Sequence, residues 1–391
     1  MFCILGLLAL GWAMTESDLV SGSSSSCNFP AIYNFGDSNS DTGGRSAAFG
    51  QFPPPYGKTN LGNPPKRLSD GRLILDFITE KLGLPYLNAY LDSIGTNFQH
   101  GANFATGGSG ILPGPISPFY LGIQISQFRE FKSRTTELYR KSSDSVSLHP
   151  KLNSFVRTDN ISNYGVGMIE KCSRVSLPHP DDFSKALYTF DIGHNDLAVG
   201  FYNMTVDQIV TAIPGILDGF DAAVQELYGE GARSFWIHNV SPLGCLPFMA
   251  LPYNGTLDQN GCVAYKNDVA QEFNQQLKER VNRLRNNLSM AAFTYVDIYS
   301  AKLSLISDAK NQGFVDPLKF CCGSFVPTFV KCGMWLQMNE TSIHGDACSD
   351  PQNRISWDGT HFTDAANSWI ASRILNGSMS DPPVPISNAC P

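Results

Sequence analysis

A doubly wound α/β domain is the architecture this sequence predicts, on three observations. Five β-prone apolar runs are spread from one end of the chain to the other. Between several of them lie segments whose apolar residues recur at spacings of three and four, the helical period. The chain has 391 residues, 42% of them hydrophobic, which is ample for one large core. Strands alternating with helices of this length imply a parallel sheet covered on both faces.

The elements follow in order. The first strand is read at 31–36 and leads into a turn of Gly, Asp, Ser and Asn. Proline and glycine crowd residues 50–65, which reads as a surface loop over the sheet edge. A helix is expected over 72–82, a strand over 98–105, and a helix near 122–139. Residues 141–180 are polar and poorly periodic, and read as a flexible insertion. A strand at 185–192, a helix at 206–229, a strand at 233–239, a helix at 263–288 and a strand at 292–299 restore the alternation. Residues 240–262 and 308–357 are loop-rich and carry most of the cysteines. A last helix is expected over 363–375, after the turn Asp358-Gly359.

Charge narrows the function. The net charge is −7 and only 16% of residues are charged, with no basic stripe carrying interleaved aromatics. That argues against nucleic acid and anionic membrane surfaces as partners. Met1 to Ala13 form a short apolar run followed by a Ser-rich stretch, so residues 1–26 read as a secretory signal and leader, too short to span a bilayer. Seven Asn-x-Ser/Thr sequons begin at Asn160, Asn203, Asn239, Asn254, Asn287, Asn339 and Asn376. Asn239 follows an apolar run and is expected to be too buried for a glycan. Loss of Cys3 with the signal leaves nine cysteines, without the spacing of a zinc site, so an extracellular disulfide set is the better reading. The odd number leaves one thiol unpaired, and Cys172 in the insertion is the candidate. The localisation expected is extracellular, in the cell wall or apoplast.

The chemistry centres on a serine. Ser38 sits in the turn after the first strand, where α/β sheets place their ligands. Serine needs a base, usually an imidazole held by a third group. Of the seven histidines, His361 has a carboxylate three residues before it in a turn leading to a helix, Asp358-Gly359-Thr360-His361. Asp358 can accept the Nδ1 proton, which leaves Nε2 to face a serine. Acyl transfer also needs donors aimed at a developing oxyanion. The glycine-rich loop Asn103-Phe104-Ala105-Thr106-Gly107-Gly108-Ser109-Gly110 and the segment Gly193-His194-Asn195-Asp196 both offer them. Each alone also fits a plain turn, and only the ordered set favours catalysis.

Four blocks carry a family resemblance: Phe35-Gly36-Asp37-Ser38-Asn39-Ser40-Asp41-Thr42-Gly43; Gly101-Ala102-Asn103-Phe104-Ala105-Thr106-Gly107-Gly108-Ser109; Asp191-Ile192-Gly193-His194-Asn195-Asp196; and Trp357-Asp358-Gly359-Thr360-His361-Phe362. With Pro242-Leu243-Gly244-Cys245-Leu246-Pro247 and Cys321-Cys322-Gly323, the chain from about residue 27 onward resembles the plant GDSL esterases and lipases of the SGNH hydrolase superfamily. The resemblance implies a three-layer α/β/α flavodoxin-like fold with a central parallel sheet of about five strands, forming a single hydrolase domain over 27–391. It implies Ser38 as nucleophile, His361 as general base and acid, and Asp358 as its orienting partner. The oxyanion donors it implies are the Ser38 and Gly107 backbone N–H groups and the Asn195 side chain, with Gly108 the alternative to Gly107. No metal or organic cofactor is implied. The eight cysteines other than Cys172 resemble the subgroup's even set.

Three departures stand out. His194 lies where close relatives often carry Gln, residues 323–329 replace a glycine-rich stretch, and the 141–180 insertion is longer than usual. The expected activity is secreted carboxylic ester hydrolysis. Acetyl or other short-acyl esters of sugars or secondary metabolites are favoured, with acyl lipids as a further class. The competing reading is a weakly active glycan-binding or defence protein on the same fold.

Overall fold

The computed structural model describes residues 26–59, 66–152, 176–253, 255–325, 328–338 and 341–391. The expected signal segment, most of the insertion, Cys172 and the sequons at Asn160, Asn254 and Asn339 lie outside these residues.

The helices in chain order are α1 (Gly44–Phe49), α2 (Ile74–Lys81), α3 (Leu121–Leu152), α4 (His194–Asn203), α5 (Val206–Gly229), α6 (Pro247–Ala250), α7 (Ala264–Asn287), α8 (Ile298–Ser307) and α9 (Asp364–Ile374). The strands are β1 (Ile32–Gly36), β2 (Gly101–Asn103), β3 (Leu187–Asp191), β4 (Ser234–His238), β5 (Ala292–Val296), β6 (Trp335–Met338), β7 (Thr341–His344) and β8 (Ser380–Asp381).

The main sheet runs β2-β1-β3-β4-β5-β8, with β1 to β5 parallel and β8 antiparallel on the edge of β5. All five residues of β1, β3 and β4 are buried, as a sheet covered on both faces requires. Alternation along β1 sends Tyr33 and Phe35 into one core with α3, α5 and α7 side chains, among them Phe128, Phe220 and Phe273. Ile32 points the other way, into a core with Ile78 of α2, Leu305 of α8 and Ile370 of α9. The result is the expected three-layer fold.

Local sequence explains the helix starts. Thr205 and Gln208 form a reciprocal capping box at the start of α5, Thr205 Oγ1 accepting from Gln208 N–H at 3.3 Å and Gln208 Oε1 from Thr205 N–H at 2.9 Å. Along α5 the residues Ile209, Ile213, Ile216, Phe220 and Leu227 make one buried stripe. Thr363 caps α9 through Ala366 N–H at 3.2 Å.

Several features depart from the expectation: helices α1, α4, α6 and α8 were not anticipated, and α8 begins inside the run read as a strand at 292–299. Helix α3 continues through Leu152, so the first third of the anticipated insertion is helical. A two-stranded hairpin, β6 with β7, occupies the cysteine-rich segment read as loop. The edge strand β8 was not anticipated. The eight described cysteines pair as Cys27–Cys390, Cys245–Cys262, Cys321–Cys348 and Cys322–Cys332. Asn239 is 2% exposed, and its amide meets Tyr295 Oη and Asp297 Oδ1, so its sequon is closed to a glycan. Asn203, Asn287 and Asn376 are exposed.

Candidate active site

A polar ladder positions the serine turn. Asn34 of β1 faces Asn103 of β2 and Thr189 of β3 in register. Its Nδ2 donates to Asn103 Oδ1 at 2.8 Å and to Ser40 Oγ at 3.0 Å, and its Oδ1 accepts from Thr189 Oγ1 at 2.7 Å. Every polar atom of this buried side chain is satisfied. Asn103 Nδ2 in turn donates to Ser40 O and to Thr42 Oγ1. Asp37 continues the ladder, its N–H reaching Asp191 O at 3.1 Å, while its Oδ1 accepts from Asn39 N–H at 2.9 Å in an Asx turn. Ser38 therefore stands at the tip, partly exposed, after a run of seven buried residues.

Asp41 ties this turn to the glycine loop. Its carboxylate accepts from the N–H groups of Gly43, Gly44, Arg45 and Gly107, the last at 2.7 Å. That corrects one expectation: the single Gly107 proton is spent inside the scaffold. Among the described residues the Gly108 N–H meets no acceptor, nor does that of Ser38. Gly108 has φ +87°, in the left-handed region that favours glycine. Of the two adjacent glycines, Gly108 holds the available donor.

Gly193, at φ +115°, turns the chain from β3 into α4, and a Cβ there would come within 2.9 Å of Phe273. The turn puts Asn195 in the first turn of α4. One Nδ2 hydrogen goes to Ser109 O at 2.9 Å, which fixes the amide plane and leaves the second hydrogen for the cleft.

The loop 357–361 is anchored by buried Trp357, whose carbonyl accepts from Cys321 and Cys322 N–H groups, and by Phe248 N–H on Gly359 O at 2.8 Å. Asp358 Oδ1 accepts from the N–H groups of Thr360 at 3.0 Å and His361 at 2.8 Å, and its Oδ2 accepts from His361 Nδ1 at 2.7 Å. Burial alone would raise the Asp358 carboxyl, but the facing imidazole and these amides hold it below the ordinary carboxylate range. An ionised Asp358 fixes the proton on Nδ1, so His361 Nε2 carries the lone pair. Ser38, Asn195 and His361 line one cleft of ≈ 510 Å³, whose apolar wall includes Leu246, Phe248 and Met249.

Sequence reasoning missed two supports. Tyr56, in the proline-rich loop, donates to Asp358 Oδ2 at 2.8 Å. Burial first, and the adjacent carboxylate second, push the Tyr56 hydroxyl's pKa far up, so it stays a donor. The second support is His194. Its Nε2 accepts from Ser241 N–H at 3.1 Å, and its Nδ1 lies 3.2 Å from Asp37 Oδ2. Ser241 Oγ lies 2.9 Å from Nε2 and accepts from the buried Lys302 ammonium at 2.8 Å. His194 thus joins the turns after β1, β3 and β4, and its departure from Gln was the signal available. Asp37, Asp191 and His194 also bring ligand atoms within 4.8 Å of one another. Within the trio, His194 Nδ1 bonds Asp37 Oδ2, while Asp191 Oδ2 is engaged by the His238 Nδ1 at 3.1 Å.

Residues 32–374 match the model of the family described as GDSL-like Lipase/Acylhydrolase. A GDSL esterase/lipase of Arabidopsis thaliana is 49% identical over 376 residues, spanning 93% of this chain and 90% of its own. An esterase of Hevea brasiliensis is 45% identical, with 94% and 90% covered. A protein named Alpha-L-fucosidase 3 of Arabidopsis thaliana is 44% identical, with 90% and 91% covered. No described helix is long and apolar enough to cross a membrane. A serine turn, a seated imidazole and near full-length relatives at this identity lead to one conclusion: the chain belongs to the GDSL esterase/lipase family of carboxylic ester hydrolases.

Proposed function

We propose that the protein hydrolyses carboxylic esters through an acyl-enzyme on Ser38. His361 Nε2 takes the Ser38 proton as Oγ attacks the carbonyl carbon, and the carbonyl oxygen becomes an oxyanion facing the Ser38 and Gly108 N–H groups and Asn195 Nδ2. Collapse breaks the ester C–O bond, and the imidazolium gives its proton to the leaving alcohol oxygen. Water, deprotonated by the same nitrogen, then attacks the acyl carbon, and Ser38 leaves with the proton returned to it. Asp358 orients the imidazole and stabilises its charged form throughout.

The observation that carries this reading is the 2.7 Å Asp358–His361 contact at the wall of a cleft that also holds Ser38. Short-acyl esters of sugars or secondary metabolites are favoured over long-chain acyl lipids. Rate against p-nitrophenyl ester chain length separates them, and a sharp maximum at long chains would overturn the preference. Four disulfides and exposed sequons support an extracellular setting and one domain over 27–391.

Glycoside hydrolysis, which the name of one relative carries, canonically needs two carboxyl groups flanking the bond. Among the described residues no carboxylate side chain lines the cleft, which favours the ester reading. Labelling by a fluorophosphonate tests it: the wild-type chain takes the label, and Ser38→Ala does not. A labelled Ser38→Ala protein, or an unlabelled wild type, would remove Ser38 from the mechanism and leave the glycan-binding reading standing.

A further inference from the structure

A second cavity, ≈ 520 Å³, meets the cleft at Asn195. Its walls are Leu112, Pro113, Pro115 and Ile116 of the loop after the glycines, with Val199 of α4 and Ile216 of α5. The loop is built to stay there. Asp196 accepts the N–H groups of Ile111 at 2.8 Å and Leu112 at 3.1 Å, so the acidic group beside the cavity is spent on holding its rim. Gly219 of α5 admits the rim from behind, since a Cβ there would sit 2.9 Å from the Leu112 side chain.

We propose that this cavity takes the acyl chain of the ester, and that the His361 cleft takes the alcohol. The inference rests on the hydrolase reading and deepens it. In acyl transfer the imidazole protonates the leaving oxygen, so the alcohol must lie on the His361 side. The carbonyl oxygen points to Asn195, the residue both cavities share. The remaining substituent of the carbonyl carbon then lies across Asn195 from His361, against Leu112, Ile116, Val199 and Ile216. An apolar wall of this kind selects short aliphatic acyl groups, of about four to eight carbons, over acetyl. Each methylene fully buried there raises kcat/KM about fourfold, the worth of one CH₂ removed from water.

The experiment measures kcat/KM of the full chain for p-nitrophenyl acetate, butanoate, hexanoate and octanoate. In the wild type the hexanoate-to-acetate ratio is expected to exceed tenfold. Val199→Trp, which fills the cavity, lowers that ratio by tenfold or more. Ile216→Ala, which widens it, moves the optimum to a longer chain. Phe248→Ala, in the cleft across Asn195, leaves the ratio alone. A ratio unmoved by Val199→Trp, or one that responds to Phe248→Ala instead, overturns the assignment. Fluorophosphonate labelling of Ser38 in each variant identifies any that fail to fold, and Ile216→Ala and Phe248→Ala then decide. Failure of the hydrolase reading is a separate result: no turnover of acetate and no label on Ser38 in the wild type.

Discussion

Tyr56 Oη and His361 Nδ1 meet on one atom, both donating to Asp358 Oδ2, at 2.8 and 2.7 Å. The tyrosine comes from a loop some 300 residues earlier in the chain, and its ring rests edge-on against Trp357, 6.2 Å between centroids. It therefore holds the same carboxylate oxygen that orients the imidazole. Tyr56→Phe keeps the ring and removes one hydrogen bond, whose net worth is about 0.5–1.5 kcal/mol, more to a charged acceptor. A fall in kcat of about threefold to tenfold is expected, with KM little changed. Steady-state kinetics check it, and an unchanged kcat would confine Tyr56 to packing.

His361→Ala removes the base and is expected to abolish turnover while leaving the fold intact, since the ring lines the cleft rather than either hydrophobic core. Asn195→Ala removes one oxyanion donor and is expected to cost on the order of 10²–10³ in kcat. Circular dichroism with single-turnover kinetics separates lost chemistry from lost structure. An Asn195→Ala protein with wild-type kcat would take that amide out of the mechanism.

His194 is expected to tolerate glutamine and not leucine. Glutamine supplies a donor for Asp37 and an acceptor for the Ser241 N–H, the two roles the imidazole fills. Leucine leaves a buried carboxylate short of a donor, which costs about 1–3 kcal/mol. The expected outcome is a kcat within a few-fold for His194→Gln and about 10- to 100-fold lower for His194→Leu. Equal kcat in the two variants would show that the three turns hold their places without this bond.

Asp196 gives a pH dependence of defined sign. Burial raises its carboxyl to about 6, against the opposing pull of the Ile111 and Leu112 amides, and nearby Asp37 adds to the rise. The folded chain therefore binds this proton more tightly than the unfolded chain, whose aspartates titrate near ~3.9. The stability it contributes is full below about pH 4 and is lost as pH rises through about 6. Asp196→Asn removes the titration, so the variant's melting temperature, relative to wild type, is expected to be higher at pH 8 than at pH 4.5. A difference that is flat with pH, or of opposite sign, would contradict the assignment.

The parallel sheet was legible because β1, β3, β4 and β5 fall in mostly buried, mostly apolar runs, trimmed by one to three residues, while β2 keeps only Gly101–Asn103 of its run. Helix α5 was legible to its last residue, since its apolar stripe and capping box are both local. β8 has only two residues and the β6–β7 strands are mostly exposed, so neither carries an apolar signature. The gathering of Ser38, Asn195 and His361 at one cleft, with Asp358 holding the imidazole, was foreshadowed because each follows a strand or sits in a loop with its own local logic. The Gly107 amide could not, because what claims it is a carboxylate 66 residues earlier. Tyr56 was hidden for the same reason: proline-rich loops have no period, and its partner lies at the far end of the chain.

The bond between Cys27 and Cys390 closes 363 positions of chain on themselves. Residues 27–390 form a covalent ring, so one proteolytic cut within it opens the circle and releases nothing. Fragments are freed only by a second cleavage, or by a reductant acting after the first. On a gel run without thiol, nicked and intact protein should migrate at the same mass, and only reduction should reveal the break.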